Sequence, residues 1–284
     1  MSSLIRKSPA LRRLAWRLGR HIYMAARGEA SGSLPASSGE VYLQARMASA
    51  LYGMSGATVL DVGANLGQWS VQLHRCLSEA GGAPTALRHL AFEPSPATQR
   101  ALRSTLDAAG LADRVEIVPM ALSNTEGEAV MHLHSPTSGR NSLVPDSAAP
   151  AMRTITVPTQ TLDAFCACVG IDHVNLLKID AEGHDFDILL GAQGLIAAAV
   201  IDVIQFEYSK HWIDSRRFLK DVFAMIEGTP YALYRILPDR LEVLPAWHIE
   251  LDRFFLANYV LLHPRAQGWF DLYQGYFDKS ATYA

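Results

Sequence analysis

The sequence predicts an α/β protein: a doubly wound, mostly parallel sheet with an antiparallel C-terminal strand and an N-terminal helical extension. Three observations carry that expectation. From about Glu40 onward, short apolar runs alternate with stretches of helical periodicity. Strands that alternate with helices need right-handed crossovers, which produce a parallel sheet covered on both faces. A glycine-containing turn, "DVGANLG", joins the first strand to its helix.

The elements follow in chain order. In "PALRRLAWRLGRHIYMAARG", Leu11, Leu14, Leu18 and Ile22 recur at helical spacing, and Arg12, Arg13, Arg17 and Arg20 fall mostly off that stripe. This is a basic amphipathic helix without the long apolar stretch of a secretory signal. Two roles are open to it: packing on the main domain or a partner subunit, which is the expectation, or peripheral contact of residues 1–28 with an anionic membrane. "GEASGSLPASSGE" is small, polar and broken by Pro and Gly, so it is a linker. Helix and linker occupy residues 1–39, and the main domain runs from 40 to 284.

"TVLDVG" reads as a buried strand and "GQWSVQLHRCLSEA" as the helix after it. "LRHLAFEP" is the second strand, and "PATQRALRSTLDAAG" a helix ending at Gly110. "VEIVPMALS" is the third strand, ending at Ser123. Residues 127–165 suggest two short strands around a polar loop. "VNLLKID" and "IDVIQFEY" are the fourth and fifth strands, separated by the helical "FDILLGAQGLIAAA". "YALYRILPDRLEVLPAWHIELDRFFLANYVLLHP" reads as a hairpin and a closing strand.

Composition sets limits on function. The 284 residues are enough for one large domain, 49% are apolar, and the mean hydropathy is +0.08. Net charge is −3, which argues against bulk nucleic-acid binding. Residues 1–28 hold seven of the 25 basic side chains and no acid, leaving 18 basic against 28 acidic residues elsewhere. Cys76, Cys166 and Cys168 are too few for a disulfide framework, and a reducing cytoplasm is the expected location.

In a doubly wound sheet, ligands bind outside the carboxyl ends of the strands, where strand order reverses. Asp61 to Gly67 lie at such an end, and Gly63 and Gly67 let the backbone come close to a ligand. The dinucleotide fingerprint G-x-G-x-x-G is not matched, and Asp61 would repel phosphates. An acid there suits a ligand with a cationic amino-acid end. Glu93 closes the second strand, where a carboxylate can accept both hydroxyls of a ribose. A ribose and an amino-acid end without phosphate describe S-adenosylmethionine.

Together "VLDVGANLGQWS", "AFEPSP", "ALSNTEGEAVMHLH", "TLDAF", "LLKIDAEGHDFDILLGA" and "IQFEYS" resemble the FkbM family of S-adenosylmethionine-dependent methyltransferases over about residues 40–263. The resemblance implies a Rossmann-like methyltransferase fold and, in most members, O-methylation of sugars, polyketides and other hydroxylated metabolites. It implies that Asp61, Gly63, Asn65 and Gly67 surround the methionine portion of the cofactor. Glu93 would hold the ribose, Pro94 and Ser95 the adenine side, and Ser123 would approach the cofactor. The loop around Arg140, Asn141 and Ser142 resembles one that runs near cofactor and acceptor. Where the family commonly has Glu, this chain has Asp185.

An alcohol is a poor nucleophile at neutral pH, so its proton must be removed by a base or weakened by a metal. Asp180, Glu182, His184 and Glu207 are the candidates, clustered at the ends of the fourth and fifth strands. His184 has the pKa range of a base, and the acids could orient it or bind acceptor hydroxyls. A divalent ion held by these acids and His184 is the alternative, not the favoured one. His211 and Trp212 follow the fifth strand in an expected acceptor loop, where an aromatic could stack on a sugar ring. The expected acceptor is a small molecule or glycan, and assembly into a homo-oligomer stays open. Nitrogen or carboxylate methylation is the alternative within the class. A nicotinamide-dependent oxidoreductase is the alternative outside it.

Overall fold

The computed structural model describes residues 8–28 and 38–274. Helix α1 (Pro9–Ala26) starts on the side chain of Ser8 with Pro9 in its first turn. The linker read from the sequence lies largely outside the described residues. Helix α2 (Glu40–Leu51) opens the main domain and is not among the elements expected from the sequence pattern. The chain then lays down β1 (Gly56–Val62), α3 (Gln68–Glu79), β2 (Ala86–Phe92), α4 (Pro96–Ala108) and β3 (Val115–Val118), stepping outward in parallel.

The expected third strand is in fact two. Pro119 has no N–H to donate, the ladder stops at Val118, and β4 (Ala121–Leu122) joins a separate sheet with β5 (Gly127–Leu133) and β6 (Arg153–Gln160) in the order β4-β6-β5. Ser123 therefore follows β4 in the small sheet and does not end a strand of the large one. After α5 (Leu162–Val169), strands β7 (Val174–Ile179) and β8 (Ile201–Tyr208) return to the other side of β1. The helix expected between them is two short ones, α6 (Asp185–Leu190) and α7 (Gln193–Ala197). Helix α8 (Leu219–Met225) precedes β9 (Ala232–Ile236), β10 (Leu241–Leu244), β11 (Ala257–Leu262) and β12 (Leu272–Gln274).

The large sheet has the order β12-β10-β9-β11-β8-β7-β1-β2-β3. The antiparallel part is wider than one closing strand: β11 is antiparallel to both β8 and β9, and β9 to β10. Neighbouring residues on each central strand feed opposite cores. Val59, Leu176 and Val203 pack under α2 and α3, while Leu60, Leu177 and Ile204 pack on the other face with Phe165 and Ile188. Among the described residues, no helix is long and apolar enough to cross a membrane.

Candidate active site

Strand order reverses between β1 and β7, and their C-terminal ends are drawn together there: the Asp180 amide donates to the Val62 carbonyl at 3.0 Å. Gly63 permits that approach. Its φ is +72°, and a Cβ would lie 1.9 Å from the Asp180 carbonyl oxygen. Gly67 serves packing behind the turn: a Cβ there would lie 2.5 Å from Leu102 of α4, and Gly67 does not line the cleft. The cleft itself has a volume of about 700 Å³ including its open mouth. One wall is Gly63, Asn65, Glu93 and Pro94, and the opposite wall is Asp180 to Glu182 with His184. Met120, the small sheet and its loop cover it, through Leu122, Met131, Ser138, Gly139 and residues 141–143.

Glu93 is buried, and both its carboxylate oxygens are held. One accepts the Asn65 amide at 3.1 Å and the other the Ser95 amide at 2.9 Å. Each oxygen keeps a further acceptor direction, and Glu93 lines the cleft. Burial pushes this carboxyl up to about 7, although the two amide bonds pull it down. Ser95 is buried as the cap of α4, so Pro94 and not Ser95 forms the wall. Asn65 sits at φ +48°, and its buried Oδ1 has no hydrogen-bond partner.

Asp61 does not meet the cleft. It is fully buried, accepts Ser70 Oγ at 2.7 Å and pairs with Lys178 Nζ at 3.1 Å. This corrects the expectation that Asp61 meets a ligand directly: its charge is neutralised inside the protein. Lys178 also donates to the Gly63 carbonyl at 3.1 Å and lies 3.6 Å from Asp180. Burial alone would lower the lysine's pKa, but Asp61 and Asp180 outweigh it, so the ammonium stays charged. The sequence marked Lys178 only as a charge inside an apolar run. Two of its contacts, Asp61 and Gly63, lie more than 100 residues away in the chain.

The loop after β7 is held open by its own side chains. Asp185 is buried and accepts the amides of Ala181 (3.1 Å) and Gly183 (3.0 Å), and Ser142 Oγ lies against the Ala181 and Glu182 carbonyls. Glu182 takes φ +52°, unusual for a residue with a Cβ. Burial, then Asp180 and Asp185, raise its carboxyl to about 8. Its Oε2 lies 3.5 Å from His211 Nε2, and burial lowers the pKa of that imidazole. Glu207 is raised well above the usual carboxylate range by burial, then by Asp180 and Glu182.

His184 lines the cleft, but both ring nitrogens face protein groups. Nε2 is 3.0 Å from Ser123 Oγ, and Nδ1 is 3.6 Å from Asp187, which Arg217 holds at 2.8 Å. Ser123 thus braces His184 and is not on the cleft wall. Trp212 corrects a second expectation. It is 1% exposed, and its Nε1 donates to the Glu207 carbonyl, so it packs under the loop and cannot stack on a sugar. Arg140 is exposed and paired with Asp146 outside the cleft. Asn141 and Ser142 line the cleft, but Asn141 uses its amide on the His134 and Ser135 backbone. Among the described residues, no group of three or more His, Cys, Asp or Glu side chains could hold a metal ion.

Several solved structures are similar to this chain. A methyltransferase FkbM from Methylobacillus flagellatus KT is 15% identical, with a TM-score of 0.45 over 75% of this chain and 47% of that one. The chain therefore spans about half the length of that relative. Cofactor-bound Rv0187 from MTB is 14% identical, with a TM-score of 0.43 over 87% and 88% of the two chains. An O-methyltransferase from Bacillus cereus in complex with SAH is 13% identical, with a TM-score of 0.40 over 85% and 86%. No curated protein matches the sequence. The family model for the methyltransferase FkbM domain matches residues 61–236, more than half of the chain and all of the strand ends that build the cleft. The protein belongs to the FkbM methyltransferase family.

Proposed function

We propose that this protein is an S-adenosylmethionine-dependent O-methyltransferase acting on a hydroxyl of a sugar, glycan or related hydroxylated metabolite. Glu93 carries the reading. Its two oxygens are fixed by backbone amides from different loops, each retains acceptor capacity, and the residue lines the cleft. That arrangement suits the adjacent hydroxyls of a ribose. The orphaned Oδ1 of Asn65, on the same wall, would be satisfied by an N–H donor on the ligand.

When bound, S-adenosylmethionine supplies a methyl group already activated on a sulfonium. The protein's own residues then bind, orient and move a proton. Lys178 fixes the Gly63 turn through its carbonyl, and Asp185 and Ser142 fix the loop that carries Glu182. Glu182 with His211 is the pair that takes the acceptor's hydroxyl proton, because the raised carboxyl lines the cleft and lies 3.5 Å from the lowered imidazole. Asp180 and Glu182 line the cleft, and the raised carboxyls of Glu182 and Glu207 hold protons near neutrality, so this cluster can both donate to and accept from the hydroxyls of a neutral polyol.

The test has two steps. Calorimetry should show binding of S-adenosylhomocysteine and none of NAD(H). Labelled methyl should then pass from S-adenosylmethionine to hydroxyls in a panel of glycans and cell-envelope extracts. Binding of NAD(H) alone would overturn the cofactor assignment, and label recovered only on nitrogen or carboxylate would overturn the acceptor class.

A further inference from the structure

Helix α1 touches the domain along one side only. Tyr23 packs 5.9 Å from Phe255 and hydrogen-bonds Glu250, Arg27 pairs with Glu250 at 3.1 Å, and Arg20 lies 5.8 Å over the Phe255 ring. At 3.6 residues per turn, Leu11, Leu14, Leu18 and Ile22 fall on the opposite side of the helix from Tyr23 and Arg27. The exposures agree: Leu11 is 44%, Leu14 62%, Leu18 58% and Ile22 61% exposed, and no residue of the helix is buried. The helix therefore packs on the domain, but through Tyr23 and Arg27 near its C-terminal end and not through the stripe. The stripe is left outward.

We propose that α1 docks the protein on an anionic lipid surface, with the Leu11–Leu14–Leu18–Ile22 stripe entering the headgroup boundary and Arg12 and Arg17, on its two flanks, meeting lipid phosphates. Charge decides the occupant. Residues 1–28 carry seven basic side chains and no acid, and Arg12 and Arg17 are exposed on the two flanks of the stripe. A second copy packed stripe to stripe would bring two rows of arginines together without a carboxylate between them, which is unfavourable. An anionic bilayer supplies the apolar layer and the compensating charge at once. The anchor through Glu250 and Phe255 lies on the domain side, so docking leaves it intact.

The experiment is co-sedimentation of the full chain with vesicles of phosphatidylcholine alone, or of equal parts phosphatidylcholine and phosphatidylglycerol. The chain should pellet with the mixed vesicles at low salt, stay in solution with pure phosphatidylcholine, and be released as salt screens the arginines. Replacing Arg12 and Arg17 by Gln should weaken partitioning about 30-fold, at roughly 1 kcal/mol per basic residue near the surface. The Leu14→Glu/Leu18→Glu variant should lose binding while keeping the parent's melting temperature and elution volume. Three results would overturn the proposal: no pelleting of the parent, a Leu14→Glu/Leu18→Glu variant that binds like the parent, or one whose melting temperature or oligomeric state falls. The last would mean that another part of the chain, or a second copy, covers the stripe.

Discussion

Replacing Glu93 by alanine should raise the dissociation constant for S-adenosylhomocysteine by about 10²–10⁴. The figure follows from two charge-assisted hydrogen bonds to the ribose hydroxyls at about 1.5–3 kcal/mol each, with 1.4 kcal/mol per decade. The pair is available because each Glu93 oxygen spends only one acceptor direction, on Asn65 N at 3.1 Å or Ser95 N at 2.9 Å. The acidity of the group supplies an independent check. In the free protein burial holds this carboxyl near 7. Ribose hydroxyls would bond to its ionised form, so binding should lower its pKa and expel a proton. Affinity should therefore rise with pH through about 7 and level off above it, and the alanine variant should lose that dependence. Calorimetry in two buffers of different ionisation enthalpy reads both the affinity and the released proton. Unchanged affinity in a variant that still melts cooperatively, or a parent affinity flat across this range, would refute the ribose assignment.

Three further outcomes follow from the same geometry. Glu182→Gln and His211→Ala should each cut turnover by about 10²–10⁴ while sparing S-adenosylhomocysteine affinity, and parent turnover should climb with pH toward about 8 as Glu182 loses its proton; full turnover in both variants on the true acceptor would remove the pair from the chemistry. Lys178→Met should destabilise the fold by about 3–5 kcal/mol in urea titrations, because it strands the buried Asp61 charge, and adding Asp61→Leu should restore most of the loss. The ligand-free protein should melt at a lower temperature at pH 8.5 than at pH 6.5, a window of about two units above the ordinary histidine range. Glu93 and Asp185 near 7 and Glu182 near 8 titrate above their unfolded values, so the folded state binds more protons there and stability falls as pH rises. The buried His74 and His89, lowered to about 4 and about 3, act mainly below that window and oppose the acids only at its lower edge, where the unfolded imidazoles are still part-protonated. A melting temperature that rose from pH 6.5 to 8.5 would contradict the burial of these acids.

The sequence by itself determined the alternation of strands and helices, the strand-end placement of Gly63, Glu93 and Asp180, and the family. These depend on local features: runs of apolar residues, glycines where φ is positive, and acids at the ends of runs. It also located the loop that carries Glu182 and Asp185. Only the tertiary structure decided which of these groups face the cleft and which serve the scaffold. Asp61 and Glu93 look alike in sequence, each an acid at the end of an apolar run. Yet Asp61 is enclosed with Lys178 from β7 and Ser70 from α3, and Glu93 opens on the cleft. Trp212 goes under the loop and His211 stays at its edge, one residue apart. Whether a polar side chain is spent internally depends on partners brought from more than a hundred residues away, as with Lys178 and Asp61, and periodicity carries no information about such pairs. The outward turn of the α1 stripe was hidden for the same reason. An amphipathic pattern records that one face is apolar, and only the anchors at Glu250 and Phe255 show that this face turns away from the domain.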